Sequence, residues 1–290
     1  MKPVSRTAFY CAGIRAWDAS RARPICGDQL AARCMTPAGA AFLEAFAPMR
    51  LANAISVTRH RVIDDLLRLE LARHPERTVV LVGAGFDTRA FRLPGGQWFE
   101  FDARELFAHK EACLPADGCP NRLLRVDFDF ETEALVDVLA ACSPCAPIVI
   151  VEGVLPYLAI PAIAHMTAAL KIRFPDHVLV ADLMTRAMLR TYGRPMRRLL
   201  QAEDALLIAD AADPAEHFPD WGYAHAARIS LPGALAALRA RYSRATQWAL
   251  RHLTRVLYNG YTVNVFNHGQ ARLEDLAIER LWSEERPRSA

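Results

Sequence analysis

The sequence has little that would mark a membrane, a secreted or a nucleic-acid-binding protein. Its longest apolar stretch, Ile148 to Ile160, is interrupted by Glu152 and falls short of the roughly 20 residues a bilayer span needs. The opening Met1-Lys-Pro-Val-Ser-Arg lacks the apolar centre of a secretory leader. Charge of one sign is scarce too: 35 basic against 32 acidic residues leave +3 at pH 7. The basic residues are mostly Arg and scattered, whereas a polyanion binder gathers many cations on one face, so no nucleic-acid partner is expected. Seven cysteines, an odd number at irregular spacing, do not make the framework of a secreted disulfide protein. Cys142-Ser-Pro-Cys145 is a lone CxxC with no second pair and no His at finger spacing. It reads as reduced thiols beside a strand, and no metal site is expected. These absences point to a reducing, cytoplasmic setting away from the membrane.

What is present is apolar. The 290 residues are 52% hydrophobic and 23% charged, enough to bury a sizeable core in one large domain or two small ones. Four short apolar runs each end at a glycine or an acid: Thr78–Val82 before Gly83, Trp98–Phe101 before Asp102, Pro147–Val151 before Glu152, and His177–Ala181 before Asp182. A weaker fifth, Arg122–Val126, ends at Asp127. Runs with no polar face suit a parallel sheet covered on both sides. Helical patterns alternate with them at Arg59–Arg73, Ala103–Cys113, Glu131–Cys142 and Pro161–Phe174. The alternation predicts a doubly wound, Rossmann-like α/β fold. A further helix is expected at Gly233–Tyr242, and two late strands, Thr246–Leu253 and Tyr261–Phe266, as an antiparallel pair that completes seven.

The sharpest local feature is Val82-Gly83-Ala-Gly85-Phe-Asp87-Thr88. A strand running into Gly-x-Gly lets the backbone approach a ligand closely. Thr88 stands where a dinucleotide fingerprint has its third glycine, and Asp102 follows Gly83 by nineteen residues. That acid is spaced to accept both hydroxyls of a ribose. A nucleoside without a pyrophosphate fits better than NAD, and S-adenosylmethionine (SAM) is the common cofactor of that description. Asp127 could take the adenine amino group with Phe128 against the ring, and Glu152 would lie at the switch-point crevice.

These residues carry a family resemblance. Thr7-Ala8, Arg15-Ala16, Arg59-His-Arg-Val-Ile-Asp64-Asp65, Val82-Gly-Ala-Gly-Phe-Asp-Thr-Arg89-Ala-Phe-Arg-Leu93, Phe99-Glu-Phe-Asp102, Lys110, Val126-Asp127-Phe128 and Val151-Glu-Gly-Val-Leu-Pro-Tyr157-Leu158 occur in this order. The chain resembles class I SAM-dependent methyltransferases of the leucine carboxyl methyltransferase (LCM) type, in their bacterial small-molecule O-methyltransferase branch, from about residue 5 to 185. The resemblance implies one methyltransferase domain over residues 1–290: a helical cap (1–56), a SAM-binding core (57–182), a lid insertion (183–222) and the remaining core (223–290). It implies that Arg59 pairs with the methionyl carboxylate, that Gly83 and Gly85 line the cofactor, and that Asp102 holds the ribose. Asp127 and Phe128 would hold the adenine, Glu152 would lie near the methionyl amino group, Tyr157 would face the methyl and the acceptor, and Arg15 would meet a carboxylate. Two departures stand out: His60 follows Arg59 where the family often has Thr, and Pro156 precedes Tyr157 where an aliphatic residue is usual.

The implied reaction is transfer of the methyl to a carboxylate or hydroxyl oxygen of a small metabolite. A carboxylate is already ionised near neutral pH and needs no base, whereas a hydroxyl needs one, commonly His. Of the nine histidines, His60, His109, His217 and His225 lie near site or lid segments, and none sits in a motif that assigns it. The alternatives are another SAM-consuming reaction, in which the aminobutyryl chain closes on itself and releases methylthioadenosine, and a non-catalytic nucleoside-binding module.

Overall fold

A computed structural model describes residues 3–129, 133–142, 146–202, 204–238 and 255–284. Seven strands form one sheet: β1 (Thr78–Val82), β2 (Gln97–Asp102), β3 (Arg122–Asp127), β4 (Ile148–Val151), β5 (His177–Met184), β6 (Ala224–Ser230) and β7 (Tyr261–His268). Their order is β3-β2-β1-β4-β5-β7-β6. The first five are parallel, and β7 runs antiparallel between β5 and β6. This is the doubly wound, mostly parallel seven-stranded sheet that the apolar runs predict. Because strand side chains alternate between faces, Val79, Leu81, Ile148, Ile150, Val178 and Val180 fill one core layer. Val80, Val82, Val149, Val151, Leu179 and Ala181 fill the other.

The end of the sheet differs from expectation. Ala224–Ser230 gives no strand signal in sequence, yet it forms β6; an edge strand pairs on one side only and is mostly exposed here, so it needs no apolar run. The strand expected at Thr246–Leu253 lies outside the described residues. β7 does pair antiparallel, with β5 and β6.

Helices α1 (Pro3–Ala19), α2 (Pro37–Glu44) and α3 (Arg50–Arg73) precede the sheet, and α1 packs on the other two. Thr36 caps α2 by accepting from the Gly39 N–H, with Pro37 in the first turn, a strong start signal. α3 begins nine residues before Arg59, and its 24 residues span about 36 Å. It lays Val62, Ile63, Leu66 and Leu67 on the sheet and buries Arg59, His60 and Asp64 in its middle. The β1–β2 connection carries one helical turn, α4 (Arg89–Arg92), instead of a full crossover helix. α5 (Arg104–Cys113), the short α6 (Leu135–Val138) and α7 (Ile160–Arg173) follow; α8 (Arg186–Thr191) and α9 (Arg194–Ala202) lie between β5 and β6, and α10 (Leu231–Leu238) follows β6. Among the described residues no helix is long and apolar enough to cross a membrane.

β2 buries an acid, Glu100. The fully buried Lys110 of α5 donates from Nζ to Glu100 Oε2 at 2.7 Å, and Arg125 of β3 donates from Nε to the same oxygen at 3.1 Å. One carboxylate thus fastens α5 and β3 to β2. Removing one partner of a buried pair leaves the other charge stranded, at a cost of about 3–5 kcal/mol. Glu100→Ala should therefore lower the unfolding free energy by about that much in urea titration, and a loss under about 1 kcal/mol would show that the pair is dispensable.

Candidate cofactor-binding site

The sheet order reverses between β1 and β4, and ligands of such sheets bind outside the carboxyl ends of the strands at that reversal. A cavity of about 650 Å³ opens there. Its floor is Leu81 and Gly83–Asp87 after β1, Asp102 and Ala103 after β2, Phe128 and Asp129 after β3, and Ile150 with Glu152–Val154 after β4. Thr7, Ala8, Cys11 and Arg15 of α1 form a wall, with Tyr157, Leu158 and Asp204 completing it.

The glycine turn is tied down from below, where the Gly83 and Ala84 N–H groups both donate to the Phe101 carbonyl, at 2.8 and 3.1 Å. Gly85 sits at φ +51°, a left-handed conformation that costs glycine little. Its N–H donates to Asp102 Oδ2 at 2.7 Å, and the Ala103 N–H donates to Oδ1 at 2.7 Å. Each carboxylate oxygen is thereby fixed at the cavity floor with lone pairs to spare. Burial pushes the Asp102 carboxyl above its ordinary range, against the pull of these two N–H donors.

Arg59 reaches the cavity from α3, already engaged. Its Nε donates to Glu152 Oε1 at 2.9 Å, and Nη1 donates to Asp182 Oδ2 at 3.2 Å and to the Tyr261 hydroxyl at 2.6 Å. Tyr261 in turn donates to Asp182 Oδ2 at 2.7 Å. A Cβ on Gly153 (φ +71°) would stand 3.1 Å from Arg59 Nη2, so glycine there both allows the turn and leaves the guanidinium room. Glu152 is held from the other side by Arg89 Nη1 at 2.7 Å. Arg15 donates from Nε to Asp28 at 2.9 Å and from Nη2 to the Phe86 carbonyl at 2.7 Å, which fastens α1 to the glycine turn. Tyr157 lines the wall beside Thr7, to which it hydrogen-bonds, and burial raises its hydroxyl above the ordinary range.

Of the residues singled out in sequence, Arg15, Arg59, Gly83, Gly85, Asp102, Phe128, Glu152 and Tyr157 are brought to one cavity. Asp127 is not. Its side chain is 45% exposed and paired with Arg104 Nε at 2.9 Å. β3 is the edge strand, two positions from β1, or roughly 10 Å at the spacing of neighbouring strands, so its end overhangs solvent. The chain then turns back, with the Phe128 N–H on the Asp102 carbonyl at 2.8 Å, and Asp129 takes the place in the wall. None of the four named histidines lines the cavity. His109 donates from Nε2 to the Cys34 carbonyl at 2.8 Å, His217 stacks on Trp221, and His225 meets Asn264.

His60 belongs to a buried ion-pair chain whose members lie far apart in the sequence. Arg89, fully buried, holds Asp64 Oδ1 at 2.6 Å, Asp87, Glu152 and the His60 ring. Arg92 joins Asp64 at 2.8 Å, Asp28 at 3.3 Å and the other His60 nitrogen at 2.8 Å. His60, Asp87 and Glu152 come close enough together to suggest a cation site, but a single guanidinium, Arg89, already bonds all three. Sequence motifs include Asp64, Arg89 and Arg92 without saying that they touch, and Asp182 and Tyr261 carry no local signal beyond a strand end and a strand start.

Comparison with known proteins places these observations. The model of the family described as leucine carboxyl methyltransferase matches residues 8–171, more than half of the chain. A relative from Parafrankia sp., provisionally named an S-adenosyl-L-methionine-dependent methyltransferase, is 36% identical over 172 residues, covering 53% of this chain and 54% of that protein. A relative from Mycolicibacterium smegmatis with the same provisional name is 29% identical over 259 residues, covering 76% of this chain and 81% of that protein. The chain thus matches only about half the length of the first relative. In fold it is similar to a DUF574 family protein of Streptomyces avermitilis, with a TM-score of 0.59, 15% identity, and coverage of 89% of this chain and 97% of that one.

The buried titrating groups set a pH dependence. Burial and the neighbouring Arg89 push His60 down from its ordinary value. His177 of β5, whose Nδ1 is bonded to the Phe174 carbonyl, is pushed down to about 4, chiefly by burial. Both take up protons more readily when unfolded, so stability falls as pH drops below the ordinary histidine value of about 6.5. Asp28 is held at about 2, with Arg15 and Arg92 outweighing burial, and Glu152 is also held low by Arg89 and Arg59. Their stabilisation is complete above the ordinary carboxylate range and is lost from about pH 4 toward 2. Denaturant titrations should show a plateau above pH 7, a decline from about 6.5 and a steeper one below 4. Equal stability at pH 7 and 5 would contradict this account.

Proposed function

The chain belongs to the leucine carboxyl methyltransferase family, and from that premise we propose that it moves the methyl of SAM to a carboxylate or hydroxyl oxygen of a small metabolite. The observation that carries this reading is Asp102, set at the switch-point cavity by the Gly85 and Ala103 N–H groups, where a nucleoside ribose would offer two hydroxyls. Phe128 and Asp129 lie next along the wall and suit an adenine ring and its amino group. The methionyl end would meet Arg59 and Arg15 through its carboxylate and Glu152 through its ammonium. The charged groups lining the cavity are mostly carboxylates: Asp87, Asp102, Asp129, Glu152 and Asp204 against Arg15 and Arg59. That surplus complements SAM, whose sulfonium and ammonium outnumber its single carboxylate.

Methyl transfer is an in-line displacement in which the new bond to the acceptor oxygen forms as the carbon–sulfur bond breaks and the electron pair leaves on a neutral thioether. The protein's part is to hold the acceptor about 3 Å from the methyl, in line, and to keep water out. Tyr157 and Thr7 on the wall are the hydroxyls nearest to that task, and Tyr157 stays protonated and able to donate. Among the described lining residues there is no histidine, which favours an acceptor that arrives ionised, such as a carboxylate. The cap and the lid, which supply Thr7, Cys11 and Asp204 to the wall, are where choice of acceptor would reside.

Two measurements test the reading. Incubation with SAM and a panel of carboxylate and hydroxyl metabolites should yield adenosylhomocysteine and methylated product. Methylthioadenosine from SAM alone would instead establish ring closure. Asp102→Ala should weaken SAM binding in calorimetry at least tenfold, since it removes a charge-assisted contact, while Asp127→Ala should change it less than about twofold, as an exposed pair contributes little. The reverse order would sink the site map.

A further inference from the structure

The wall formed by α1 meets the core along a small apolar seam made of Ala12, Ala31, Cys34, Phe86, Leu106 and Leu114. Two thiols face each other in it. Cys34 ends the 3-10 turn Gln29–Cys34 and is fully buried; Cys113 is the last residue of α5 and is half-buried. Their Sγ atoms are 3.3 Å apart, against about 2.05 Å in a disulfide. Both carriers are held in place: Cys113 Sγ lies 3.0 Å from the His109 carbonyl, and the Cys34 carbonyl accepts from His109 Nε2 at 2.8 Å. Phe86 and Leu106, which the seam shares with the cavity, lie directly behind the cofactor wall.

We infer that Cys34 and Cys113 are a reversible oxidative modification site, which a peroxide converts to a disulfide joining the cap to α5. Cys113 is the accessible partner and reacts first: its sulfur attacks the peroxide, the O–O bond breaks, and Cys113 becomes a sulfenic acid as one water leaves. The Cys34 sulfur then displaces the sulfenic hydroxyl; the S–S bond forms, and the thiol proton leaves with that hydroxyl as a second water. Two thiols and one hydrogen peroxide thus give one disulfide and two waters, and a low-molecular-weight thiol reverses the change. Cys34 is fully buried and closed to the oxidant, which leaves the first attack to the half-buried Cys113. Disulfides in a reducing compartment are usually of this transient, sensing kind. Because α1 walls the cavity, the link would slow exchange of whatever the cavity holds; that consequence rests on the SAM reading above, whereas the cross-link itself does not.

The test treats the full chain with a few equivalents of hydrogen peroxide, blocks free thiols, and maps tryptic peptides without reductant. The expected product joins peptide 34–50 to peptide 111–122 and is released by reductant. Peptide 111–122 also contains Cys119, so Cys113→Ser should abolish the link and Cys119→Ser should leave it. A link elsewhere, a link between copies, or one that survives in Cys113→Ser overturns the assignment. In the linked protein the SAM release rate should fall several-fold, recover on reduction, and not respond to peroxide in Cys113→Ser. Release at the unlinked rate would overturn the effect on exchange. A link that forms in a protein that binds no SAM in either state would overturn the cofactor reading and leave the modification site standing.

Discussion

The structure around the cavity depends on one line of buried ion pairs. It runs from Asp28 through Arg92 to Asp64, on through Arg89 to Glu152, and through Arg59 to Asp182. The line crosses from the segment after α1, through α3 and the turn after β1, to the ends of β4 and β5. Burying charges in this way is weak support for stability, since desolvation offsets most of the attraction. What the line supplies is placement. Every guanidinium has at least two acids, and Glu152 cannot swing toward solvent without giving up its ion pairs to both Arg59 and Arg89. A ligand entering the cavity meets charges whose directions were settled by folding, so little of its binding energy goes into arranging them.

That constraint explains the residue types at positions where packing alone would favour leucine. His60 sits between two guanidiniums and is kept neutral so that it can accept from one of them; a threonine at that place could not bridge both. Gly153 has no side chain because Arg59 occupies the space. The acids toward the carboxyl ends of β1, β2, β4 and β5 have different tasks: Asp87 and Glu152 hold Arg89, Asp182 holds Arg59, and Asp102, at the cavity floor, accepts from the Gly85 and Ala103 N–H groups. In the proposed reaction this division lets one carboxylate meet the nucleoside while the others set the shape of the pocket.

The parallel strands and the place of the site were legible in the sequence because both depend on local pattern. Val79 to Val82, Ile148 to Val151 and Val178 to Ala181 are apolar on both faces, and the ends of such strands converge at a known point of the fold. The ion-pair line was not legible, because its contacts join Arg59 to Asp182 and Arg92 to Asp28 across long stretches of chain, and a row of arginines and aspartates in sequence reads equally well as a solvated surface. Asp127 looked equivalent to Asp102 because it ends a strand in the same register; only the sheet order shows that its strand is the outer one. β6 escaped notice for the same reason: edge position, which no periodicity encodes, decides how apolar a strand must be.

The order of strands also bears on how the chain comes to be folded. β6 hydrogen-bonds to β7 and to no other strand among the described residues, while β7 lies between β6 and β5 and follows β6 in the chain. During synthesis the five parallel strands, complete by Met184, can assemble while β6 still has nothing to pair with. The far side of β5 stays an open edge until residues 261–268 emerge, insert beside it and accept β6 on their other side. During synthesis, closure of the sheet therefore waits for the emergence of β7. Tyr261, the first residue of that strand, completes the clamp on Arg59 and Asp182, so this part of the pocket is finished only once β7 is in place.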